Sequence, residues 1–481
     1  MSERMNIILF LPDQWRAEAV GCLGNDAVRT PHTDALAAEG VAFTRCFSQN
    51  GVCTPARCTI LTGQFCHTAG HRTMHHFVRR HEPNLMRYLK EAGYHVWWGG
   101  KNDAIPIEET ELSCDERVHG KGSRGPTVPA PGFGDRHFYT FYRGCVSEEP
   151  MHTSDDDVVD HAVEFLTRDH EKPFFMWVNQ GWPHPPYQAE RAWIEMYPPE
   201  ALPPLRPKVL DGKPGILDAI RKKTGLDRLT PDEFRAILAT YYAMVSRVDR
   251  NFGRVIDAVK ENGFWENTAI LMTSDHGDFA GDYEMVEKTQ NTFEDILTNV
   301  PLVVRVPAQK VKGKVSDALV QSMDLFATIM ELTGVDARHT HFSKSLVPIL
   351  NGEAEEIRDA VYCEGGARVE EIHTHENPYS HVPEHIYHPR ITIQNQSPEL
   401  HGKAVMLRTH DWKYVRRLYD TDELYDLKED PDELKNLVND PAHADVVREM
   451  RDRMLTWFLD TGDAVPFKWD KRSPTEDILE I

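Results

Sequence analysis

The sequence predicts an α/β fold, a mostly parallel central sheet flanked by helices, followed by a smaller α+β C-terminal domain. Three observations point there. Short apolar runs that read as strands buried on both faces recur up to about residue 350. Segments of helical periodicity lie between them, which is the alternation of an α/β layer structure. Near residue 357 the pattern changes. At 481 residues the chain exceeds the size at which one core stops growing, so a large domain over 1–357 and a small one over 358–481 are expected.

The strand candidates are Ile7 to Leu11, Tyr94 to Trp98, Phe174 to Val178, Ala269 to Thr273 and Leu302 to Val306. Trp97 and Trp98 read as core. Val158, Ala162, Phe165 and Leu166 share a helix face just before the third run. Thr230-Pro231-Asp232-Glu233 carries an N-cap, a proline at the first helical position and a capping-box glutamate, so a helix should run from there to Gly263. Ser322 to Thr333 is another helix, closed by Gly334. Residues 366 to 400 are rich in His, Pro, Glu and Asn with little periodicity. The His373-to-His388 run fits no metal-ligand spacing and reads as a solvated loop or a subunit contact. Ala404 to Thr409 and Trp412 to Arg417 then read as a hairpin, and Val446 to Leu459 as a closing helix.

Composition excludes several classes. Fifty-four basic against 76 acidic residues give a net charge of -22, with no basic stripe, so nucleic acid is not an expected partner. An anionic substrate would need a local island of positive charge in that field. The apolar run after Met1-Ser2-Glu3-Arg4 is too short for a signal-peptide core, and nothing approaches a membrane span, so the expected address is the cytoplasm. Eight cysteines in a chain this long do not suggest a disulfide scaffold, and the four between 46 and 66 lack a zinc-type pair.

In open α/β sheets, ligands sit beyond the carboxyl ends of the strands. Those ends are Pro12-Asp13-Gln14, Gly99-Gly100-Lys101, Gly181-Trp182-Pro183-His184-Pro185 and Ser274-Asp275-His276-Gly277-Asp278. An Asp after a strand is usually a helix cap. Four ends that deliver carboxylates, an amide, imidazoles and a lysine together point instead to a cation and an anion. Between strands lies Cys53-Thr54-Pro55-Ala56-Arg57-Cys58-Thr59-Ile60-Leu61-Thr62-Gly63. Its proline fixes a turn, Arg57 stands one helical turn from Cys53, and the amides starting the Ala56-to-Leu61 helix face the same spot. A low-pKa thiolate nucleophile is one reading of that arrangement.

Cys-x-Pro-x-Arg followed by Thr62-Gly63 resembles the signature of the formylglycine-dependent sulfatase family, within the alkaline-phosphatase superfamily. The resemblance extends through Thr30 to Phe43, Tyr88 to Tyr94 with Gly100-Lys101, Tyr242 to Val255, Thr273 to Asp278, and Glu423 to Asp426 on to Asn436-Leu437. It implies an alkaline-phosphatase-like fold, a catalytic sulfatase domain over 1–357, and hydrolysis of sulfate esters. It also implies a formylglycine made from Cys53 by a maturation enzyme. Asp13, Gln14, Asp275, His276 and an oxygen of residue 53 would bind one divalent cation, Ca2+ by family habit, with Mn2+ or Mg2+ open. Arg57 would hold the nucleophile's oxygen, Lys101 and Lys288 would clamp the ester oxygens, and His184 would protonate the leaving oxygen. A small sulfated substrate and the maturation enzyme are the implied partners, and a homo-oligomer stays open.

Two departures from the family pattern matter. Asn102-Asp103 stand where many relatives have Trp-His after the lysine, so Asp103 or a histidine from elsewhere must deprotonate the second hydroxyl. Gln14 with an Asp-His pair resembles the phosphonate monoester hydrolase branch, whereas Lys101 resembles the sulfatases. The alternatives are a phosphonate or phosphate diester hydrolase, a cysteine-nucleophile phosphatase, and a non-catalytic binder of sulfated ligands if Cys53 stays unmodified. His71, Arg72, His75 and His76 read equally as pocket lining or as an exposed polar loop.

Overall fold

The computed structural model describes residues 4–122, 131–375 and 382–467, and nine of its strands form one sheet. They are β1 (Asn6–Asp13), β2 (Val41–Phe47), β3 (His95–Gly99), β4 (Glu116–Val118), β5 (Phe174–Pro183), β6 (Thr268–Thr273), β7 (Asn299–Arg305), β8 (Lys314–Ser316) and β9 (Val320–Gln321). The order is β8-β2-β7-β6-β1-β5-β3-β4, with β9 also on β2. Only β7 runs antiparallel to its neighbours in this sheet.

Alternation along β1 shows why the sheet is buried on both sides. Ile8 and Phe10 face one core, with Val158, Phe165 and the apolar side of the Pro231–Glu261 helix. Ile7, Leu9 and Leu11 face the other, with Ile60, Leu61, Leu325 and Ile329. Trp97 and Trp98 are wholly buried, one on each side. The capping box at Thr230 forms as expected, with the Glu233 side chain accepting from the Thr230 amide at 2.8 Å. Besides the short strands β4, β8 and β9, the sequence also hid β2. Thr44 and Arg45 interrupt its apolar run, and they sit where the register with β7 shifts between Phe43 and Cys46.

The C-terminal part holds a four-stranded antiparallel sheet of β10 (Val361–Gly365), β11 (Ala404–Arg408), β12 (Trp412–Arg417) and β13 (Glu423–Asp426). The Ala444–Thr461 helix covers it through Val447, Met450, Met454 and Trp457. This sheet also grips the main layer: Lys413 Nζ donates to the Phe293 carbonyl at 2.8 Å and Arg417 Nη1 to that of Asn291 at 2.6 Å.

The weak periodicity over 366–400 hides a helix that begins where the His373-to-His388 run ends. Residues His388–Gln396 form a helix with Pro389 in its first turn and Arg390, Ile391 and Ile393 buried. A helix of nine residues with that many buried positions is packed, not solvated. The part of the His-rich run from 376 to 381 lies outside the described residues. No described helix is long and apolar enough to cross a membrane.

Candidate active site

Because β1, β3, β5 and β6 are parallel, their carboxyl ends emerge at one edge of the sheet. Asp13 closes β1, Lys101 follows β3, His184 follows β5, and Asp275 and His276 follow β6. Gly100 makes the Lys101 turn feasible. Its φ is +88°, and a Cβ there would stand 1.9 Å from the Asn179 carbonyl oxygen of β5.

Cys53 is the first residue of the Cys53–Thr62 helix and is buried, as is every residue of that helix. The polar groups nearest its Sγ are His276 Nε2 at 3.2 Å, Lys101 Nζ at 3.4 Å and Asp13 Oδ1 at 3.6 Å. Burial, reinforced by Asp13, pushes the thiol well above its ordinary pKa. That setting works against the thiolate reading, since a desolvated thiol holds its proton more tightly.

Arg57, one turn along, spreads its guanidinium over three partners. Nε lies 2.8 Å from Asp275 Oδ2, Nη2 3.1 Å from Asp13 Oδ2, and Nη1 2.6 Å from Asn179 Oδ1. Burial pushes the Asp13 carboxyl upward, but Lys101, His184, Arg57 and His276 together hold it well below the usual range. Arg57→Gln leaves two buried carboxylates short of a counter-charge. We expect it to destabilise the fold by roughly 3–5 kcal/mol, read as a fall in thermal midpoint; an unchanged midpoint would contradict this role.

Asp13, Cys53, Asp275 and His276 bring one ligand atom each within 4.8 Å of one another, all buried. His276 Nδ1 lies 3.0 Å from the Gly277 carbonyl, which assigns the ring proton there and leaves the Nε2 lone pair facing Cys53. Burial also lowers the pKa of this imidazole, and a neutral ring is the ligating form. The donor set thus fits a divalent cation. Gln14, next to Asp13, has a left-handed backbone conformation (φ 71°). Its amide N–H donates to Asp275 Oδ1 at 3.0 Å, while Oε1 accepts from Lys288 at 2.7 Å and Nε2 donates to Asp278 at 2.6 Å.

Lys288 Nζ also meets Glu287 Oε1 at 2.7 Å and His184 Nε2 at 3.0 Å. His184 Nδ1 lies 2.6 Å from the Pro185 carbonyl, so Nε2 accepts from Lys288. Burial, then Lys288, brings the His184 pKa down to about 3. Lys101 pairs with Asp103 at 2.9 Å as well as with Asp13 at 2.6 Å. The positive island is therefore more balanced than the sequence suggested. Arg57, Lys101, Lys288 and Arg390 face Asp13, Asp103, Asp275 and Glu287.

Sequence reasoning missed Asn179, Glu287, Tyr387 and Arg390. Arg390, on the unforeseen helix, pairs with Glu287 at 3.3 Å and donates to the carbonyls of Val286, at 3.0 Å, and Lys288. It thereby brackets Glu287, whose φ of 64° is strained for a non-glycine residue. Nothing in the sequence signals Arg390; Glu287 was legible only as the neighbour of Lys288. Of the four ambiguous residues after the signature helix, His75 lines the cavity above Cys53. His71 is buried against Glu82 at 3.0 Å, and Arg72 pairs with Glu371 at 2.7 Å.

Burial pushes the Glu287 carboxyl up, but Lys288, Arg390 and His184 hold it at about 2. A depressed folded pKa contributes stability that is full above the ordinary value of 4.5 and is lost as pH falls toward 2. Glu287→Gln should therefore lower the thermal midpoint at neutral pH, with the deficit narrowing toward the acid end of that window. A deficit independent of pH would show that the charge is not what matters.

Cys53, Lys101, Asp103, His184 and Lys288 all open into one cavity of about 330 Å³. Comparison with known proteins follows the same lines. The family model described as Sulfatase matches residues 5–335, and one described as N-sulphoglucosamine sulphohydrolase, C-terminal, matches 394–458. The multifunctional alkaline phosphatase superfamily protein PehA of Trinickia caryophylli is 26% identical over 516 residues, covering 96% of each chain. The uncharacterized sulfatase YidJ of Escherichia coli (strain K12) is 28% identical over 501 residues, covering 99% of this chain and 91% of its own. The phosphonate monoester hydrolase of Agrobacterium radiobacter shares the fold with a TM-score of 0.79 at 23% identity, over 98% of both chains.

Proposed function

The chain belongs to the sulfatase family, and on that premise we propose that it hydrolyses sulfate esters through a formylglycine made from Cys53, beside one divalent cation. The observation that carries this reading is the setting of Cys53. It opens its helix among Asp13, Asp275 and His276, with Lys101 Nζ 3.4 Å from its sulfur.

Asp13, Asp275, His276 and an oxygen of residue 53 would hold the cation, with Gln14 alongside. Oxygen ligands from the two carboxylates and Gln14 favour Ca2+ or Mg2+, and the His276 imidazole makes Mn2+ possible. Bound there, the cation supplies Lewis acidity and two positive charges that the balanced side chains lack. Formylglycine supplies a hydrated aldehyde, one hydroxyl to attack sulfur and a second to release the product without water reaching the crowded centre.

The chain's own residues do the rest. Arg57 holds the Asp13 and Asp275 carboxylates in place and balances their charge. Lys101 and Lys288 donate to the sulfuryl oxygens as charge grows on them. His184 Nε2 and Lys288 Nζ, 3.0 Å apart, form one proton-holding pair, and from it the leaving oxygen takes its proton. Asp103, which lines the same cavity as Cys53 and pairs with Lys101 at 2.9 Å, would accept the proton of the second hydroxyl.

The mass of the peptide that contains Cys53 tests this reading, since the aldehyde form has lost sulfur. A thiol in fully active enzyme would end it. For the cation, Asp275→Asn removes one of two neutralising carboxylates and one partner of Arg57. Divalent metal content by elemental analysis should fall well below one per chain, with activity restored only by excess metal. Active wild-type protein free of divalent metal would refute the site.

A second reading, hydrolysis of phosphonate monoesters or phosphate diesters, draws on Gln14 beside the Asp275-His276 pair. Lys101 at the sulfur favours sulfate. The cysteine-nucleophile and pure-binder readings are disfavoured by the raised thiol pKa and by the assembled proton-transfer groups.

A further inference from the structure

The cavity above Cys53 has two ends of different chemistry. Its charged end holds Lys101, Asp103, His184, Glu287 and Lys288, and each is tied to another of that group. The remaining wall carries the apolar side chains Val52, Met74, Ile220 and Ile391, the latter two from the Gly215–Thr224 and His388–Gln396 helices, which pack on each other.

Most polar side chains along that wall are engaged with other protein groups. The Tyr387 hydroxyl donates to Glu287 at 3.2 Å, which leaves its ring as the cavity face. Arg390 is committed to Glu287 and two backbone carbonyls. The Thr289 hydroxyl is paired with Thr292, and His75 and Gln290 are engaged as well. The exception is His401, whose two ring nitrogens are buried without a hydrogen-bond partner. What a bound ester's organic part meets there is mainly carbon.

A hydroxyl pressed against such a wall loses water and gains no partner, which is unfavourable for each hydroxyl buried. A hydrocarbon or aryl group of the same shape gains by leaving water. The volume of about 330 Å³ admits one or two rings and no polymer segment.

We propose that this wall is the subsite for the organic part of the substrate, and that it selects sulfate esters of compact, apolar alcohols or phenols over sugar sulfates. The inference rests on the sulfate-ester reading of the Cys53 centre.

The test uses the full chain carrying formylglycine and a matched pair, cyclohexylmethyl sulfate and glucose 6-sulfate. Both carry a six-membered ring on a primary sulfate, so leaving-group chemistry is similar and the ring hydroxyls are the main difference. The expected result is a kcat/KM for the cyclohexylmethyl ester at least a hundredfold higher. Met74→Gln, at a partly exposed position, and Ile391→Thr should each narrow that ratio about tenfold or more.

Equal or reversed preference in wild type would overturn the inference, as would a ratio untouched by both variants. Para-nitrophenyl sulfate, an activated ester, separates the two levels. If it and both members of the pair are inert, the sulfate-ester reading fails and this inference with it. If it turns over while glucose 6-sulfate is preferred within the pair, only the inference fails.

Discussion

Cys53→Ala should abolish sulfate-ester turnover, by roughly four orders of magnitude or more, the scale on which removal of a nucleophile acts. The fold should survive, because the side chain is small and its neighbours Asp13, Asp275 and Arg57 hold one another at 2.8 and 3.1 Å. Cys53→Ser should be nearly as inactive in a host that does not oxidise serine. A serine hydroxyl can attack, but it leaves an ester that only water at the crowded sulfur could resolve. Full activity in the serine variant would eliminate the formylglycine mechanism, and so would activity in the alanine variant at more than a small fraction of wild type.

Lys101→Ala should lower kcat/KM for sulfate esters roughly a hundredfold or more, as happens when a donor to transition-state charge is lost. The Gly100 turn and contacts with Asp13 and Asp103 at 2.6 and 2.9 Å hold Lys101 Nζ 3.4 Å from the Cys53 sulfur. A sulfate monoester spreads one charge over three oxygens, so two lysines can meet it from different sides. A phosphonate or phosphate diester puts a substituent where the second lysine would stand. Diester cleavage should then fall much less, or rise with the vacated volume. Kinetics on both ester classes decide it, and equal losses on both would remove the main reason for reading the site as sulfate-specific.

The parallel core was legible in the sequence because β1, β3, β5 and β6 are short apolar runs whose carboxyl ends carry Asp13, Lys101, His184 and Asp275-His276. Strand β2 was not, since Thr44 and Arg45 break its pattern at the point where its register shifts. The residues that gather around Cys53 and the signature helix lay within contiguous motifs, so the sequence could bring them together. Arg390 and Tyr387 could not be. They reach the cavity from a helix about 100 residues beyond Lys288, in a segment whose His, Pro and Asn content masks a nine-residue helix. The charge balance was also hidden. Asp103 and Glu287 neutralise Lys101 and Lys288 through contacts that only the folded chain creates.

The central claim is that a formylglycine at position 53 cleaves sulfate esters. Its most direct measurement is kcat/KM on para-nitrophenyl sulfate, bis-para-nitrophenyl phosphate and para-nitrophenyl phenylphosphonate, using wild-type protein co-expressed with a maturation enzyme. The sulfate ester should be the preferred substrate by a wide margin, with that activity absent when the maturation enzyme is withheld in a host lacking its own. Faster cleavage of the phosphate diester or the phosphonate, or undiminished sulfate-ester turnover by protein whose Cys53 remains a thiol, would contradict it.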